Sequence, residues 1–123
     1  MNLPHHSLVV WQRADDLFID VHTLTVKAFP QFERYELGSQ ARRAAYSVAA
    51  NVVEGSERQH KREKLQFLNT SRSSLAEVGY CLHVARRLGY VNEDRYGELD
   101  LAVRRVSAAL NGYIRAVSEG RAK

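Results

Sequence analysis

Structure breakers are scarce in this chain. Only two prolines, Pro4 and Pro30, and seven glycines occur in 123 residues. Such a sequence favours long helices, because proline and glycine are the residues that end them. The one cysteine, Cys81, cannot form an internal disulfide. A lone thiol suits a reducing compartment, so a cytoplasmic location is expected. No apolar run approaches the roughly 20 residues of a membrane-spanning helix, so no membrane partner is expected. The opening residues, Met1-Asn2-Leu3-Pro4-His5-His6, lack the basic and apolar regions of a signal peptide and read as a frayed terminus. Strand-like alternation, low-complexity tracts and internal repeats are also missing. What is present is 45% hydrophobic and 26% charged residues, the balance of a soluble globular protein. The length fits one domain over residues 1–123. A formal charge of +4 is mildly basic, which is compatible with an acidic partner without establishing one.

Apolar residues recur at alternating steps of four and three in four segments. This spacing predicts helices over about residues 8–29, 40–56, 61–88 and 93–118. In the first, Val10, Ala14, Leu17, Val21, Leu24 and Ala28 line one face, and Pro30 stops it. In the second, Ser39 is the expected cap. The line Leu37, Ala41, Ala44, Val48 runs beside Ala45, Ala49, Val52 and Val53, so this helix should have more than one packing neighbour. In the third, Leu68, Ser71, Leu75, Val78, Leu82 and Ala85 lead to Gly89. In the fourth, Asn92 caps a stripe of Leu99, Val103, Val106, Leu110, Tyr113 and Val117. Four amphipathic helices with short links predict an all-α, antiparallel up-down-up-down four-helix bundle.

Two features exceed what one bundle needs. The fourth helix carries a second stripe of small residues, Ala102, Ala109, Gly112 and Ala116. Glycine costs a helix interior about 1 kcal/mol, so Gly112 suggests close approach of another copy and a homo-oligomer interface. The second helix carries a polar line, Gln40, Arg43, Ser47, Asn51 and Glu54, continuing to Arg58. Spacing allows either a solvated face or a partly buried structural network against another helix.

The block around this helix has a recognisable pattern. It runs Glu33-Arg34-Tyr35, Leu37, Ser39-Gln40-x-Arg42-Arg43-Ala44-Ala45, Ser47, Asn51 and Glu54-Gly55-x-x-Arg58. It resembles the proteins encoded within intervening sequences of bacterial 23S ribosomal RNA genes. Val10-Trp11-Gln12, Phe67-Leu68, Ser74-Leu75-Ala76-Glu77 and Leu88-Gly89-Tyr90 add flanking matches, so the resemblance spans about residues 8–118. It implies a four-helix subunit assembled as a ring, typically a homopentamer. It also implies structural kinship with the basic, nucleic-acid-binding accessory protein of diversity-generating retroelements. It brings no established biochemical role. His60 stands where the family often has a serine cap, and Ser73 where glycine is common.

Catalytic patterns are absent. Glu57-x-x-His60 matches one arm of a carboxylate-bridged metal bundle, but no second arm exists. No nucleophile elbow or phosphate loop occurs, so a non-enzymatic protein without metal or cofactor is expected. Arg58, Lys61, Arg62 and Lys64 cluster at the junction of the second and third helices, with Arg42 a further candidate if it turns outward. They form an expected phosphate-contacting rim for RNA or DNA. No aromatic pattern marks a stacking surface, so such binding would be electrostatic. The alternative is a structural scaffold that binds another protein and no nucleic acid.

Overall fold

A computed structural model of the protein describes residues 4–122. Among these residues there are four α-helices and no strand. Helix α1 spans Val9–Lys27, α2 Leu37–Glu57, α3 Lys61–Arg87 and α4 Glu93–Ser118. Two short 3-10 turns, Pro4–Ser7 and Gln31–Glu33, precede α1 and α2. None of the helices is long and apolar enough to cross a membrane.

The termini follow local chemistry. Asn92 accepts a hydrogen bond from the Arg95 backbone N–H at 2.8 Å, capping α4. Past α3 and α4, Gly89 and Gly120 take φ of +80° and +72°. This left-handed turn brings Tyr90 N–H to Ala85 O and Arg121 N–H to Ala116 O, satisfying helix-end carbonyls. Helix α2 starts at Leu37, so Ser39 lies inside its first turn and does not cap it. The cause is Glu33, whose Oε1 accepts from Leu37 N–H at 3.3 Å and opens the helix earlier. Helix α1 stops at Lys27, which frees Phe29 to fold back against the Tyr90 ring, 5.4 Å between centroids. His5 is buried beside Trp11 in a 3-10 turn, so the expectation of a frayed end fails there.

Each helix packs against two others: α1 on α2 and α4, and α3 on α2 and α4. Neighbours run in opposite directions. Late α2 meets early α3 at Gly55 and Lys64, whereas Ser47 meets Ser74. Lys61 at the start of α3 reaches Ser118 at the end of α4. Phe18 of α1 touches Tyr46 of α2, and Thr25 touches Arg42. The stripes close on a core in two parts. One includes Leu17, Val21, Val48, Val78, Leu82, Leu99 and Val106. The other, near the α2–α3 junction, includes Val10, Val52, Leu68, Leu110 and Val117. Leu17, Leu68, Leu99 and Leu110 are at most 1% exposed, and each such side chain stabilises by about 1.5–3 kcal/mol.

Candidate functional site

The α2–α3 junction is where the sequence places a basic rim, and the structure engages most of its cations internally. Lys64 is only 6% exposed. Its ammonium donates to Gly55 O at 3.3 Å and Ser56 O at 3.1 Å, the last carbonyls of α2. A helix C-terminus carries partial negative charge, so these carbonyls serve as the buried cation's counter-charge. Lys61 does the same for α4, donating to Ser118 O at 2.7 Å. Arg58 bonds Glu54 at 3.0 Å and lies 4.7 Å above the Phe67 ring. Arg62 alone of the four is exposed without a protein partner among the described residues. Lys64 is therefore not a rim residue, Lys61 is spent on the end of α4, and Arg58 on Glu54 and the Phe67 ring. The open cleft here, about 430 Å³, has Val117 and Ala122 as apolar walls.

Arg42 is not at this end. It sits at the opposite end of the bundle, donating to Thr25 Oγ1 at 3.1 Å and to Arg34 O at 2.8 Å. Its position in the first turns of α2 turns it toward α1 and the connector, while the neighbouring Arg43 is exposed.

The polar line of α2 divides by side-chain length. Ser47 and Ser74 share a hydrogen bond of 2.8 Å across the α2–α3 seam. Asn51 donates to Ser47 O at 2.8 Å and Ser47 Oγ at 2.9 Å. Beneath them the fully buried Ser71 donates to Val48 O at 2.7 Å. The long side chains overshoot the seam: Gln40, Arg43 and Glu54 are exposed, so they do not join a buried network. The partly buried cluster is Ser47, Asn51 and Ser74.

The small stripe of α4 also divides. Ala102 and Ala109 pack onto the two parts of the chain's own core. Ala116 is half-buried, and Gly112 is exposed with open space where a Cβ would stand. As a continuous contact surface, the expected four-residue stripe is therefore reduced to its Gly112 edge.

Two features were missed by spacing. One is an apolar groove of about 410 Å³ between α1 and α2, walled by Trp11, Phe18, Ile19, Tyr46, Ala50 and Val53. Ile19 is 54% and Tyr46 62% exposed. The legible signal was apolar residues lying off the main stripes. The other is the connector, where Phe32 and Tyr35 are 72% and 83% exposed. The expectation that no aromatic pattern marks a stacking surface took no account of these two rings. Beside them the Tyr90 hydroxyl donates to Glu33 Oε2 at 2.8 Å, and this bond to the carboxylate holds the phenol above its usual pKa. Burial, reinforced by Glu77, likewise raises the Cys81 thiol, which makes it a poor nucleophile. No group of three or more His, Cys, Asp or Glu side chains comes together among the described residues.

Comparison with known proteins agrees with this architecture. A crystal structure of a protein with unknown function from the S23 ribosomal protein family of Bacteroides thetaiotaomicron VPI-5482 superposes with a TM-score of 0.80. It covers 86% of this chain and 98% of its own, and at 19% identity it establishes a shared fold. No curated protein matches. The model of the family described as 23S rRNA-intervening sequence protein matches residues 6–112, through all of α1, α2 and α3 and most of α4, and the chain belongs to that family.

Proposed function

We propose that the protein is a non-enzymatic module that assembles with copies of itself into a closed ring of cytoplasmic up-down-up-down bundles. The observation that carries this reading is the exposed apolar groove between α1 and α2. A surface with Tyr46 and Ile19 more than half exposed is costly to leave in water. The groove holds two carboxylates, Asp15 and Glu54, the second of which already pairs with Arg58. The outer face of α4 offers its complement: Arg105 and Arg115 flank the flat strip of Ala108 and Gly112, all exposed. Two different surfaces that fit one another make a head-to-tail contact, and such contacts close into rings. The family resemblance sets the expected number at five. Light scattering after size exclusion should then give about five times 14.0 kDa. Tyr46→Asp and Arg105→Glu should each lower that mass. A monomer at micromolar concentration overturns the proposal.

Nucleic-acid binding is the second reading. Its support is the charge of +4 per chain, which five copies multiply, and the exposed, unpaired Arg62, which lies outside the proposed subunit contact. Many weak phosphate contacts act together on such an assembly. Affinity for labelled RNA should fall steeply with salt. No shift at low salt, even at tens of micromolar protein, leaves a protein-binding scaffold instead.

A further inference from the structure

The connector end of the bundle holds a second cationic cleft, of about 320 Å³, lined in part by Thr25, Pro30, Gln31, Arg34 and Arg42. No carboxylate lines it. Arg42 is half-buried there, and its two bonds go to neutral oxygens, Thr25 Oγ1 and the Arg34 carbonyl. A guanidinium has five N–H donors, so three remain. Arg34 is exposed and unpaired. The carboxylate of Glu33 is occupied by the Tyr90 hydroxyl and Leu37 N–H. The exposed Glu36 is not part of the lining. The arrangement depends on Gly38, where a Cβ would stand 2.8 Å from Glu33 O and 3.0 Å from Arg42 Nη1.

Two of the lining residues are each followed by an exposed aromatic: Gln31 by Phe32, Arg34 by Tyr35. Rings exposed to 72% and 83% contribute little to this chain's own core. Guanidinium forks match phosphate oxygens, and unstacked bases lie on aromatic faces whatever their sequence. We infer that the cleft holds one phosphate of a single-stranded RNA or DNA on Arg34 and Arg42, with neighbouring bases stacked on Phe32 and Tyr35. This rests on the nucleic-acid reading above and narrows it, because a duplex keeps its base faces covered.

The test is fluorescence anisotropy with short labelled single strands, the matched duplex and a labelled mononucleotide. The single strand should bind more tightly than the other two. Phe32→Ala with Tyr35→Ala should weaken strand binding at least about thirtyfold, the loss of two stacked bases. Arg34→Glu should reduce the log–log salt slope by about one. All three positions are exposed, so circular dichroism should stay that of the parent. Equal affinity for the duplex, or for the mononucleotide, overturns the inference. Connector variants that bind like the parent while Arg62→Glu binds weakly overturn this site and leave the electrostatic reading standing. A parent protein that binds no strand at low salt overturns both.

Discussion

The two ends of the bundle use their cations differently. At the α2–α3 junction, Lys64 and Lys61 turn back onto the last carbonyls of α2 and α4. At the connector end, Arg42 binds neutral oxygens and the Arg34 guanidinium is unpaired, beside two exposed aromatic rings. A flexible ammonium reaches a helix end easily, where a point charge meets several carbonyls. A guanidinium keeps spare donors after two bonds are made. A run of basic residues therefore measures neither free charge nor the position of a ligand.

This contrast breaks most visibly at Lys64. Lys64→Met keeps the stem volume but leaves Ser56 O without its donor and Gly55 O with only the Arg58 backbone N–H at 3.3 Å. We expect a loss of about 1–3 kcal/mol, read as a fall of roughly 5–10 °C in thermal melting. An unchanged midpoint would mean that water serves the α2 terminus equally well. At the connector end the corresponding lever is Gly38→Ala. Helix propensity favours alanine by about 1 kcal/mol, but the new Cβ meets the Glu33 backbone at 2.8 Å. Backbone cannot rotate aside, so denaturant unfolding should show a net loss of about 1–2 kcal/mol. A stabilised variant would show that the connector moves freely on α2. The smallest and sharpest comparison lies along the polar line of α2. Asn51→Ala removes both of its bonds to Ser47, the residue that bridges the seam to Ser74, and should cost about 1 kcal/mol. Glu54→Ala removes an ion pair whose side chains are 41% and 54% exposed, and should cost less than about 0.5 kcal/mol. Equal losses from the two would refute the division of that line by burial.

Much of the helical framework was legible because a 3.6-residue period acts over many residues at once. The core positions Leu17, Val48, Leu82 and Leu110 all lie on stripes visible in the chain. The start of α2 was misread because the Glu33 carboxylate outcompetes a Ser39 cap, a contact between side chain and backbone that no stripe records. The candidate sites were legible only in part. Residue type places Arg58, Lys61, Arg62 and Lys64 together near one end, since they are close in sequence. It leaves open that Lys64 is buried and Arg62 bare, because that depends on where the α2 carbonyls end.

Sequence alone determined the helices, the apolar faces they bury and the family pattern from Glu33 to Arg58. Each of these depends on residues close along the chain. Tertiary structure alone decided which charges remain available and which apolar residues stay in water. It folded Phe29 onto Tyr90, turned Arg42 toward Thr25 and left Tyr35 and Tyr46 uncovered. Burial and counter-charge are properties of neighbours in space, and those neighbours here lie as far apart in the chain as Lys61 and Ser118.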